Sequence, residues 1–229
     1  MNLKILSLVI IGVCILLLDV CYAFLSKDVH LLNMQNGLAD NTVSAVYKDK
    51  EGFIWFGTRN GLSRYDGRRI TNFERSRSYP SISNLKEVFD GVLAFVDNGV
   101  FSAFDLKKER FLSVVSSSGQ GIPSRGMLQR NDSLVWVISG SELHLMKRCA
   151  SKEGELRLRV QEKYTGWNNQ DNLLVAITYS SDKKSICLID EKGRIILLDA
   201  TNLNSFRVID LGRTGSLSVN SVLYDDGRI

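Results

Sequence analysis

The chain has 229 residues, with 29 Lys and Arg against 25 Asp and Glu, a formal charge of +4. So mild a balance falls well short of the strong basicity of a nucleic-acid binder. The 44% hydrophobic content suits a globular chain long enough to bury a large core.

The first predicted element is a targeting segment. Lys4 gives a short basic start, and Ile5 to Leu18 is an unbroken run of 14 apolar or small residues. A bilayer-spanning helix needs roughly 20. Asp19 interrupts the run before Cys21-Tyr22-Ala23, whose small residues suit a signal peptidase, so residues 1–23 read as a cleaved signal peptide. The competing reading is an uncleaved anchor, against which the short run and Asp19 argue. Cys14 and Cys21 leave with the signal. Cys149 and Cys187 remain; they leave room for one disulfide, not for a disulfide framework, and their pairing stays open.

Val29 to Leu32 is the next predicted strand, followed by a Gly37-Leu38 turn. Asn41 to Gly67 then reads as strand, turn, strand, turn, strand, and Ile70 to Phe73 adds a fourth after Asp66-Gly67. These assignments rest on β-branched and aromatic residues bounded by Asp, Asn and Gly turns. The pattern repeats. Val92 to Asp105 is a second copy, in which Asn98-Gly99 matches Asn60-Gly61 and Phe104-Asp105 matches Tyr65-Asp66. In the third, Trp136 and Leu143 each fall 81 residues after Trp55 and Leu62, with Glu142 at the glycine position. In the fourth, Ile186 to Asp199, Gly193 takes the place of Gly61 and Cys187 that of Trp55. Val219 begins a fifth, 176 residues after Val43, or 44 per unit over four units.

A unit of that length made of four strands is a propeller blade. The fold class expected is therefore all-β, a β-propeller of four-stranded antiparallel blades at approximately 40–78, 81–115, 124–163 and 171–212. A further start at 217–229 leaves the arc incomplete within the domain 24–229. A β-sandwich would not repeat one strand-turn-strand pattern at these intervals. Pro80 and Pro123 fall between blades, where they interrupt no sheet hydrogen bonding. The repeat positions are Trp55, Gly57, Gly61, Tyr65, Asp66, Gly99, Trp136 and Gly193.

At Asp49-Lys50-Glu51-Gly52-Phe53-Ile54-Trp55-Phe56-Gly57-Thr58-Arg59-Asn60-Gly61-Leu62-Ser63-Arg64-Tyr65-Asp66-Gly67 the sequence resembles the two-component regulator propeller repeat. The resemblance is specific in the first blade and at the fifth-blade start, and loose between them. It implies the periplasmic sensor region of a hybrid two-component histidine kinase. The parent would be anchored in the inner membrane, with more blades, a kinase and other domains downstream, and would act as a homodimer. It also implies that Val29 to Leu32 closes the ring against a last blade, and that the chain is a segment of that parent. An open arc of this kind is not expected to be a stable monomer by itself.

Catalytic signatures are missing. There is no H-E-x-x-H, G-x-S-x-G or phosphate-binding loop. The two histidines, His30 and His144, have no neighbour at metal-ligand spacing and read as structural or surface residues. Gly119-Gln120-Gly121 runs into Pro123 instead of opening a helix and reads as a linker. No cofactor, metal or catalytic residue is expected. Arg59, Arg64, Arg68, Arg69, Arg75 and Arg77 concentrate charge in the first blade. They could hold a carboxylate or sulfate of an acidic oligosaccharide through bidentate hydrogen bonds, or simply protect a blade edge. The candidate ligand-binding residues are Asp40 and Asn41, before the first strand, and Arg59 and Asn60, in the turn at the same blade end. The expected function is carbohydrate-responsive sensing without catalysis. An exported polysaccharide-degrading propeller, using Asp40 and Asp97, and a free-standing secreted binding module are the alternatives.

Overall fold

The computed structural model describes residues 31–74, 81–167 and 172–210. The signal peptide, Val29 and His30 of the closing strand, Arg75, Arg77, Pro80 and the fifth-blade start at 217–229 lie outside them. Leu31 and Leu32 carry no assigned secondary structure. The fold described below is that of the unit beginning at Asn33.

After a 3-10 turn at Met34–Asn36, the chain is all strand. β1 (Val43–Lys48), β2 (Ile54–Thr58), β3 (Gly61–Tyr65) and β4 (Ile70–Phe73) form the first blade. β5 (Ile82–Phe89), β6 (Val92–Asp97), β7 (Val100–Asp105) and β8 (Arg110–Ser116) form the second. The third is β9 (Gly126–Asn131), β10 (Leu134–Ser139), β11 (Glu142–Cys149) and β12 (Glu155–Tyr164), and the fourth is β13 (Leu174–Tyr179), β14 (Ser185–Asp190), β15 (Arg194–Asp199) and β16 (Phe206–Asp210). Each blade is an antiparallel meander in sequence order. The chain is a β-propeller arc.

The second strand of each blade explains its composition. Alternate residues of a strand point to opposite faces, and among the described residues both faces of the second and third blades meet another blade. Leu93 and Phe95 join Trp55, Leu62, Ile82 and Phe104 between the first and second blades, while Ala94 and Val96 join Val135, Val137 and Met146 between the second and third. Trp136 and Ile138 then pack on Ile186 and Leu188 of the fourth. The central positions of β6 and β10 are all buried, so hydrophobic residues run on without alternation. Cys187, standing where Trp55 and Trp136 stand, lies with Ile189 and Ile195 on the far face of the fourth blade. Burial pushes its thiol up to about 11, and Cys187 and Cys149 are both free.

Gly57 marks a close interblade approach. A Cβ there would lie 2.7 Å from Ile82 Cγ2 and 3.0 Å from the Ile82 carbonyl oxygen. Ser44 Oγ donates to that same carbonyl. Gly57→Ala should therefore lower stability by about 1–3 kcal/mol through overpacking, read as a lower midpoint of chemical denaturation with unchanged strand content.

Two features differ from the sequence expectation. Gly61 pairs with Thr58 at a strand end, whereas Gly99 lies inside the β6–β7 turn closed by Asp97 and Val100. The equivalent of Gly61 is thus Val100, and Gly193 likewise precedes β15. Gly61 is needed because its φ is +125° and a Cβ would come within 2.7 Å of the Phe73 carbonyl oxygen. In the second blade Asn98 and Gly99 both adopt positive φ, which closes a two-residue hairpin of the kind whose twist matches the strands. The third blade uses Gly140 for the same purpose, so the turn before Glu142 is intact.

The second difference is between blades. β8 and β12 pair in parallel over Ser113–Ser116 and Glu155–Leu158, joining the second and third blades into one eight-stranded sheet. Pro123 also forms an isolated bridge with Val100, with Phe101 donating to Ile122 and Ser124 donating to Gly99 on either side. A proline with no N–H fits there because its neighbours supply the donors.

Candidate functional site

The Asp and aromatic positions of the repeat have a shared structural task. Asp49 Oδ1 accepts from the backbone N–H of Glu51 and Phe53, at 3.0 and 2.9 Å, while Oδ2 accepts from Trp55 Nε1 at 2.7 Å. One carboxylate therefore shapes the β1–β2 turn and satisfies the buried indole. Asp66 accepts from Arg68 and Arg69, Asp105 from Lys107 and Lys108, and Asp199 from Thr201 and Asn202, all through backbone N–H. These are Asx turns, and they account for Tyr65-Asp66, Phe104-Asp105 and Leu198-Asp199 recurring. Backbone donors hold the Asp66 and Asp199 carboxyls below the usual range; for Asp199 the Thr201 hydroxyl is the largest cause.

Arg64 belongs to this framework. Its guanidinium carbon stands 4.8 Å from the Phe53 ring centre and 5.6 Å from those of Trp55 and Phe73, and Nη1 donates to Glu109 Oε1 at 2.6 Å. Stacking and the ion pair tie the first blade to the second. It is enclosed, with only 18% of its side chain exposed, and does not stand ready for a ligand. Arg130 plays a similar part 5.1 Å from the Trp136 ring.

The structure does bring Asp40, Asn41, Arg59 and Asn60 together. Arg59 N donates to the Thr42 carbonyl, placing the β2–β3 turn beside the segment that leads into β1. Three of the four side chains hold backbone: Asp40 Oδ1 accepts from Thr42 N at 2.6 Å, Asn41 Oδ1 from Met34 N at 2.8 Å, and Asn60 Nδ2 donates to the Ala39 carbonyl at 3.3 Å. The Asp40 and Asn41 bonds shape residues 33–42 from within, and the Asn60 bond, with Asn72 Nδ2 donating to Gly37 O and Ala39 N donating to Ser63 Oγ, fastens that segment to the first blade. Arg59 is exposed at the tip of this rim.

Asp97, at the equivalent blade end, is 1% exposed. His144 is buried and shares a hydrogen bond of 2.6 Å between its Nε2 and Glu142 Oε2; that bond, foremost, and Lys163 hold the Glu142 carboxyl below its usual range. Among the described residues no group of three or more His, Cys, Asp or Glu could hold a metal ion, and no helix is long and apolar enough to cross a membrane.

A cleft of about 450 Å³ opens at the opposite blade end, between the first and second blades. Sequence reasoning missed it because its walls come from turns far apart in the chain. Its three cations are all paired: Lys50 with Glu87 and Asp90, Lys107 with Asp90, and Arg64 with Glu109.

Residues 37–60 match the two component regulator propeller family. No curated protein matches the chain in sequence. Among solved structures, the extracellular domain of a hybrid two component system from B. thetaiotaomicron is 16% identical, with a TM-score of 0.57 over 80% of this chain and 26% of that one. The extracellular domain of a one component system from the same organism is 15% identical, with a TM-score of 0.60 over 80% and 27%. The β-propeller domain of Swd1 from Myceliophteria thermophila gives 16% and 0.53 over 77% and 57%. At these identities the likeness establishes the fold, and the chain spans about a quarter of the two bacterial domains.

Proposed function

Starting from a propeller chain that carries a two component regulator propeller repeat, we propose that it is the ligand-sensing segment of a hybrid two-component signalling protein. It is exported, responds to a saccharide, and performs no catalysis of its own; the kinase and the remaining blades belong to the rest of the parent. The observation that carries this reading is the repeat at residues 37–60, which spans both halves of the rim. The similar bacterial structures are extracellular domains of signalling systems, which supports the same assignment.

The rim is the ligand-facing surface in this proposal. Asp40, Asn41 and Asn60 fix its backbone, and Arg59 extends from it to take a carboxylate or sulfate in a planar two-bond contact. Loss of such a charged contact costs about 1.5–3 kcal/mol, so Arg59→Ala should weaken binding of an acidic oligosaccharide by roughly tenfold or more. Calorimetric titration of the full chain against a panel of acidic and neutral oligosaccharides measures this. Binding of none, or equal binding by wild type and variant, would overturn the assignment. Turnover of a polysaccharide abolished by Asp40→Ala and Asp97→Ala would instead favour the enzymatic alternative.

A further inference from the structure

The parallel β8–β12 pairing creates a second cleft, of about 440 Å³, between the second and third blades. It lies at the end opposite the Arg59 rim, where the β7–β8 and β11–β12 turns meet. Its charge balance is the reverse of the first cleft's, where Lys50, Arg64 and Lys107 face the carboxylates of Asp49, Glu51, Glu87, Asp90 and Glu109. Four cations line it, Lys108, Arg110, Arg148 and Lys152, against the carboxylates of Asp105, Glu153 and Glu155.

Those carboxylates are already engaged. Glu153 Oε1 alone takes both Lys108 Nζ, at 2.8 Å, and Arg110 Nη2, at 2.9 Å. Glu155 is paired with Arg157 at 2.8 Å, and Asp105 Oδ1 accepts two backbone N–H groups of its own turn. Arg148 is left with the Phe89 ring, 5.4 Å from its guanidinium carbon, and among the described residues Lys152 makes no ion pair. Arg110 Nε is a buried donor with no hydrogen-bond partner. Surplus cations in a concave site are stabilised by an anion that accepts their hydrogen bonds.

We propose that this cleft is an oxyanion-binding site, held by Arg110, Arg148 and Lys152, for a sulfate-type group either free or carried on a saccharide. The site is separate from the Arg59 rim and does not depend on the saccharide reading above. Arg110, anchored by Glu153, forms one wall of the cleft, while Arg148 and Lys152 supply the uncompensated charge from the facing blade.

The test is calorimetric titration of the full chain at fixed ionic strength with sodium sulfate, a sulfated disaccharide and its unsulfated counterpart. Sulfate should bind. Lys152→Ala should weaken it several-fold, and the double variant R148A/K152A roughly tenfold or more. Lys184→Ala, which removes an exposed charge in the fourth blade, should leave it unchanged. Equal affinity for sulfate and the sulfated sugar assigns the site to the free ion; preference for the sulfated sugar over both other probes assigns it to a glycan substituent. No saturable sulfate binding by wild type, or binding that survives in the folded double variant, overturns the proposal. Circular dichroism of each variant separates lost binding from lost fold.

Discussion

Trp55→Ala should lower stability by about 3–5 kcal/mol, the range for removing a fully buried large aromatic side chain. Trp55 is 1% exposed and packs 5.5 Å from Phe73 and 5.4 Å from Phe104, ring centre to ring centre. It thereby joins the outer strand of the first blade to the third strand of the second. Its Nε1 also satisfies Asp49. Alanine would leave a cavity between two blades that rigid sheets cannot close, and would strip Arg64 of one aromatic face. With a urea m-value of about 2 kcal/mol/M, the midpoint falls by about 2 M, followed by circular dichroism. Trp55→Phe separates the contributions. It keeps most of the packing and loses one hydrogen bond, so its cost should be about 1–2 kcal/mol. A Trp55→Ala midpoint within about 0.5 M of wild type would show that the blade seam is not set by this residue.

Asp190→Ala should cost about 3 kcal/mol for a different reason. Asp190 is 1% exposed, and its carboxylate accepts from Lys192 N and Arg194 N through Oδ1 and from Arg194 Nε, at 2.7 Å, through Oδ2. Arg194 Nη2 is already a buried donor without a partner. Removing the carboxylate leaves a largely enclosed guanidinium uncompensated and three donors unmet. An uncompensated buried charge is what makes a broken ion pair expensive, in contrast to an exposed pair worth little. Asp190→Asn retains the backbone acceptor without the charge and should recover about half the loss. The same substitution at Asp182, whose Lys184 partner is exposed, should change stability by less than about 0.5 kcal/mol. Denaturant midpoints for the three variants decide the matter; equal effects at Asp190 and Asp182 would contradict it.

The repeat was legible because each blade solves one local problem with the same residues. An Asp that accepts two backbone N–H groups needs only its own turn, so Tyr65-Asp66, Phe104-Asp105 and Leu198-Asp199 announce themselves in sequence. The tryptophan positions were visible for a related reason, since one side chain must fill the seam to the following blade. Register was harder. Gly99 and Gly61 look equivalent in sequence, yet one lies within a turn and the other at a strand end, because a two-residue hairpin tolerates a shift of the glycine by one.

The candidate rim was legible as a place and not as a set of roles. Asp40, Asn41 and Asn60 read as free polar groups in sequence, but residues 33–42 fold over the first blade and use them for backbone hydrogen bonds. Arg64 read as one of a basic cluster, and packing turned it into a seam residue.

The sequence by itself determined the all-β propeller architecture, because turn chemistry and blade-filling aromatics act within a single unit. Only the tertiary structure decided what lies between units: the parallel joining of β8 to β12, the close approach of Gly57 to Ile82, and which charges meet across a seam. Those contacts pair residues from turns and strands of different blades, so no local pattern encodes them. Charge balance within a cleft is a sum over such distant residues, which is why the carboxylate-rich first cleft and the cation-rich second one could not be told apart before the blades were placed side by side.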